Sequence, residues 1–64
     1  MTPEHIGKLV LQRRKESQLT QIDLGEVAGV SFHTIRAIEH GKPTVEIGLV
    51  LRVLAELGLE VTIQ

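Results

Sequence analysis

Thr20-Gln21-Ile22-Asp23-Leu24-Gly25-Glu26-Val27-Ala28-Gly29-Val30-Ser31-Phe32-His33-Thr34-Ile35-Arg36-Ala37-Ile38-Glu39 reads as two short helices around one glycine. Thr20 is a good N-cap, and Asp23 three places on makes a near match to a capping box. Ile22, Leu24, Val27 and Ala28 follow until Gly29, which predicts a helix over about residues 20 to 28. Gly29 stands where that helix needs a left-handed residue to end. Ser31 can cap a second helix over about 32 to 39, which turns Ile35 and Ile38 inward before Gly41 stops it. Gly25, one turn into the first helix, leaves room for the second to cross closely. With Val30, Ile35 and Ile38 held inward, Phe32, His33, Arg36 and Ala37 fall on the free side, and Thr34 lies near its edge.

Outward from this pair, Pro3 and Glu4 suit a first helical turn, and Ile6, Leu9 and Val10 recur at helical spacing, which predicts a helix over residues 3 to 16. On the other side, Thr44 is an N-cap candidate for a helix from Val45 to Leu57, closed by Gly58; nine of those 13 residues are apolar. At 100° per residue, Ile47, Val50, Leu51, Leu54, Ala55 and Leu57 fill one face. Leu49 and Val53 fall on the other, among Glu46, Arg52 and Glu56, and this second apolar set implies a second covered surface. Leu59-Glu60-Val61-Thr62-Ile63-Gln64 then alternates apolar and polar, the period-2 pattern of a half-buried strand. A lone strand leaves its backbone groups unpaired, so the simplest expectation is antiparallel pairing with its own copy across a two-fold axis. Leu49, Val53, Leu59, Val61 and Ile63 are therefore the expected dimer interface.

The chain has 64 residues, a net charge of −1 and no cysteine. That is room for one domain over 1–64, it excludes a multidomain enzyme, and it removes disulfides and thiolate metal sites. A chain this short buries only about 60% of its unfolded surface, so a partner subunit is the expected supplement. No apolar run approaches the roughly 20 residues of a membrane helix, and the start lacks the pattern of a signal peptide. A cytoplasmic protein without membrane contact is expected. Residues 1 to 42 carry six Lys and Arg against five Asp and Glu, whereas the remainder carries one against three. Any surface for a polyanion belongs to the first two-thirds.

Two short helices joined by a glycine turn, the second opening with polar residues, form the arrangement of a helix-turn-helix, whose second helix enters a major groove about 12 Å wide. The set Leu19-Thr20-Gln21, Leu24, Ala28-Gly29-Val30-Ser31, Ile35, Ile38-Glu39 and Gly41-Lys42 resembles the lambda repressor/Cro-like (XRE) helix-turn-helix family over residues 6 to 58. Within it, Gly41-Lys42-Pro43-Thr44 leading to Val50-Leu51, Val53-Leu54 and Leu57-Gly58-Leu59 looks most like the HipB-type antitoxins. The resemblance implies an all-α domain of four or five helices, with one C-terminal strand pairing across a homodimer. It implies a repressor of its own operon that binds an inverted-repeat operator in double-stranded DNA and a HipA-like kinase toxin.

Carried over by position, the resemblance makes Gln21 a phosphate contact that braces the recognition helix, with Thr20 beside it. Ser31 would add a contact to phosphate. Phe32, His33 and Ala37 match base-reading positions, while Thr34 and Arg36 reach bases or backbone, and Lys42 matches a backbone-contacting loop position. Arg14 and Glu39 match a buried ion pair. Gly25 departs from the usual alanine, which weakens its helix by about 0.5–1 kcal/mol.

No nucleophile with a base, no paired carboxylates in an apolar setting and no phosphate-binding glycine loop is present, so an enzyme is not expected. His5, His33 and His40 lack ligand spacing, and neither metal nor cofactor is expected. The competing expectation is a protein-interaction module that neutralises a kinase toxin with little DNA binding of its own.

Overall fold

The computed structural model describes residues 1–62, and four helices account for most of them: α1 (Pro3–Glu16), α2 (Gln21–Ala28), α3 (Phe32–Glu39) and α4 (Ile47–Glu56). Each of the first three has a side-chain cap. Thr2 Oγ1 accepts from the His5 amide at 3.0 Å and Pro3 opens α1. Thr20 and Asp23 form the full reciprocal box, with the Asp23 amide donating to Thr20 Oγ1 at 3.0 Å and the Thr20 amide donating to Asp23 Oδ2 at 2.9 Å. The Thr20 amide holds the Asp23 carboxyl below its ordinary value. Ser31 Oγ accepts from the Thr34 amide at 3.2 Å.

All four helices end in one way. A residue one or two places past the last helical one takes a left-handed φ, and the amide after it donates five residues back: Leu19 to Arg14, Val30 to Gly25, Lys42 to Ala37 and Leu59 to Leu54. Gly29, Gly41 and Gly58 take the left-handed position without steric cost, but after α1 it falls to Gln18, at φ 59°. That site carries backbone strain which glycine would not.

The core joins all four helices through Val10, Leu24, Ala28, Ile35, Ile38, Val50, Val53, Leu54 and Leu57. α3 lies between α1 and α2, and α4 packs across α2 and α3 while barely meeting α1. Two glycines permit the closest crossings. A Cβ at Gly7 would overlap the Ile38 carbonyl oxygen and lie 2.9 Å from that of Glu39, so α1 rests backbone-on-backbone against the end of α3. A Cβ at Gly25 would lie 2.7 Å from the Val30 oxygen, closer than an alanine permits.

Two expectations require correction, and a third is not shown by one chain. α4 begins at Ile47, not Val45; Glu46 holds the N-cap position without a side-chain bond, and Thr44 lies in the preceding turn. Val45 is drawn from that turn onto the core, which delays the helix. Val53, expected at a dimer interface, is fully enclosed by its own chain, whereas Ile47 is 65% and Leu51 46% exposed and Ala55 is exposed. Seven of the ten residues of α4 are apolar, and Arg52 and Glu56 fill only a narrow polar stripe, which alone does not fix the phase of the helix. Contact with α2 and α3 sets it, and those helices seat Val50, Val53, Leu54 and Leu57. Lastly, no strand forms among the described residues: 59–62 continue from α4 as irregular chain with Val61 exposed. A strand's hydrogen bonds need a second strand, and one copy of this chain provides none. Ile63 and Gln64 lie outside the described residues.

Candidate nucleic-acid interface

α3 has two unlike faces, as its sequence dictates. Ile35 and Ile38, one turn apart, are 0% and 3% exposed and anchor the helix in the core. His33 and Arg36 on the opposite side are exposed, while Phe32, Thr34 and Ala37 are half-buried along the borders. The Phe32 and His33 rings lie 4.2 Å apart between centroids, tilted by 33°, so they form one aromatic surface at the start of the helix. The Thr34 and Ser31 hydroxyls lie 3.1 Å apart, which directs Thr34 toward the cap. His33, Thr34 and Ala37 also form one wall of a shallow open cleft whose other wall is Lys42, Thr44, Val45, Glu46 and Leu49. Leu49, expected at a dimer interface, is half-buried in this cleft. Glu46 was not anticipated here, because its place beside α3 follows from the turn that precedes α4.

The orientation of α3 is held by a polar network. Arg14 Nε donates to Glu39 Oε2 at 2.6 Å and Nη2 donates to Oε1 at 3.0 Å, a bidentate pair with side chains 11% and 3% exposed. Arg14 Nη1 donates to the Leu19 carbonyl at 2.9 Å, and the Gln21 amide donates to Glu39 Oε1 at 3.1 Å. One carboxylate on α3 thus binds side chains from α1 and from the first residue of α2. The hydrogen bond to Glu39 raises the Arg14 pKa above its ordinary value. No buried side-chain nitrogen or oxygen among the described residues lacks a partner. Because the pair cancels its own charge, it fixes geometry without adding to the field outside.

Thr20 is exposed at the start of α2, with its oxygen engaged as the cap, and Lys42 is exposed just past the end of α3. Ser31, Phe32, His33, Thr34, Arg36, Ala37 and Lys42 thus lie on or beside one helix, while Gln21 connects to it through Glu39. Two arginines tie other elements together: Arg13 Nη1 donates to the Leu57 carbonyl at 3.0 Å, and Arg52 Nη1 to that of Gly29 at 3.3 Å. Neither contact has a local signal, since the partners are 44 and 23 residues away. No group of three or more His, Cys, Asp or Glu that could hold a metal occurs among the described residues, and no helix there is long and apolar enough to cross a membrane.

Comparison with known proteins agrees with this architecture. A family model described as "Helix-turn-helix" matches residues 10–64. The chain is 50% identical over 62 residues to an uncharacterized HTH-type transcriptional regulator, y4mF, of Sinorhizobium fredii (strain NBRC 101917 / NGR234), covering 97% of this chain and 82% of that protein. With the capped α2, the glycine turn and the two-faced α3 already in place, the chain belongs to the XRE-type helix-turn-helix family.

Proposed function

We propose that this domain is a sequence-specific transcriptional repressor which binds an inverted-repeat operator as a homodimer. The observation that carries the reading is α3, sealed on one side by Ile35 and Ile38 and presenting His33 and Arg36 on the other. A rigid helix with that outward face fits a major groove, with Phe32, His33 and Ala37 toward base edges. Arg36 and Thr34 reach bases or backbone, and Thr20, Gln21, Ser31 and Lys42 serve the phosphates. Support for pairing comes from the uncharged exposed stripe Ile47, Leu51 and Ala55 on α4, together with the alternating segment Leu59–Ile63. A two-fold axis would set the recognition helices about 34 Å apart, one turn of DNA or a multiple of it.

The narrower reading is an antitoxin of HipBA type, which represses its own operon and binds a HipA-like kinase. It rests on the likeness of residues 41 to 59 to HipB-type antitoxins. A second reading, a protein-binding module with little DNA affinity, is favoured by Ile22 and Val27, 57% and 53% exposed on α2. Footprinting of the region upstream of the gene tests the proposal. Two protected half-sites related by a dyad support an operator-binding dimer, and no protection leaves the module reading.

A further inference from the structure

The cleft beside α3 contains one residue unsuited to a polyanion. Glu46 is exposed at the N-cap of α4, and its side chain makes no capping hydrogen bond. Its Oε1 lies 3.4 Å from where a Gly48 Cβ would stand, so the carboxylate folds over the first turn of α4. Facing it across the cleft are His33, Thr34 and Ala37 of α3, with Lys42 and Thr44 from the intervening turn. Although Lys42 shares the cleft, no ion pair joins it to Glu46 among the described residues. Glu46 therefore has no direct ionic partner within this surface. A phosphate brought into the cleft would meet a like charge, and repulsion of that kind suppresses wrong dockings rather than strengthening right ones.

We propose that Glu46 is a specificity-determining residue: its carboxylate disfavours any register of α3 on DNA that brings a phosphate up against it in the cleft. This inference rests on the operator-binding reading. Non-specific binding comes from phosphate contacts and samples every register, so it bears the penalty in full. The operator complex keeps a register in which the phosphate served by Lys42 stays clear of the Glu46 carboxylate.

The test compares the wild type with Glu46→Gln, using labelled duplexes that carry the inverted repeat upstream of the gene or a scrambled version of it. Glu56→Gln, at the far end of α4, makes the same change in net charge and is the control. The expected result is that Glu46→Gln tightens scrambled-duplex binding about three- to tenfold and operator binding less, so discrimination falls, while Glu56→Gln leaves the ratio unchanged. Equal tightening by both variants, or no change with Glu46→Gln, overturns the proposal. So does weakened operator binding alone, which would mark the carboxylate as an acceptor for a base amino group. A change in thermal midpoint with an unaltered ratio would reduce Glu46 to a helix-terminus charge and also overturn it. If the wild type prefers neither duplex, the operator reading itself fails and this inference falls with it.

Discussion

Replacing Arg14 with methionine removes the cation from the network that orients α3. Glu39 would retain only the Gln21 amide at 3.1 Å, with its side chain still 3% exposed. Two charge-assisted hydrogen bonds are lost, each worth about 1.5–3 kcal/mol, together with the bond to the Leu19 carbonyl. A methionine stem recovers part of this through packing, so the net loss is about 3–5 kcal/mol, the usual cost of orphaning one partner of a buried pair. A 64-residue domain has a stability of only about 3–10 kcal/mol, so the substitution takes from about a third of it to all of it. Urea unfolding followed by circular dichroism reads the effect: with a slope near 1 kcal/mol per M, the midpoint falls by about 3–5 M. The double variant Arg14→Met/Glu39→Met removes the stranded charge, and its stability should return most of the way to wild type. A loss below about 1 kcal/mol for the single variant, or a double variant no better than it, would refute the reasoning and make the pair a screened surface contact.

Other perturbations follow from the same structure. Gln18→Gly relieves the left-handed backbone at φ 59° and should stabilise the domain by about 0.5–1 kcal/mol in urea unfolding; destabilisation would mean the Gln18 side chain contributes more than its strain costs. The Asp23 carboxyl is lowered by its bonds to Thr20, so the stability it adds is present above the ordinary value of 3.8 and is lost as pH falls through the lowered native value. Asp23→Asn should flatten that acid limb in pH-dependent melting and leave the neutral-pH form less stable. His33→Ala should weaken operator binding by about 1–3 kcal/mol in anisotropy while sparing scrambled DNA; equal losses on both would assign His33 to phosphate. Leu51→Glu, on the exposed stripe of α4, should yield a folded monomer in sedimentation equilibrium; a wild type that is itself monomeric at micromolar concentration, or a variant that stays dimeric, would remove α4 from the interface.

Features set within a few residues were legible in the sequence, and those set by neighbouring helices were not. Thr20 with Asp23, Ser31, Gly29 and Gly41 act through bonds three to five residues away, so the limits of α2 and α3 follow from local chemistry alone. Ile35 and Ile38 lie one turn apart on a helix whose other side chains, Phe32 and Ala37 apart, are polar, so periodicity alone orients α3. The phase of α4 had a weaker guide, since Arg52 and Glu56 leave most of its circumference apolar, and Val53 and Leu51 exchanged inside for outside. Gly7 lacked one too, because the α1–α3 crossing it permits lies 31 or 32 residues away, at Ile38 and Glu39. The Arg14–Glu39 pairing came from family resemblance, and only the fold shows Gln21 completing it. Glu46 depends on a turn whose length the cap pattern at Thr44 misjudged.

The most direct test of the account is a fluorescence anisotropy titration of a labelled duplex carrying the inverted repeat upstream of the gene, run at several salt concentrations beside a scrambled duplex. A label is required because the chain has neither Trp nor Tyr. The account predicts saturable operator binding by two copies per repeat, a steep negative slope of log affinity against log salt, and scrambled-duplex binding weaker by about three orders of magnitude or more. Equal, weak affinity for both duplexes would contradict it and leave the exposed apolar residues of α2 and α4 as the surfaces that matter.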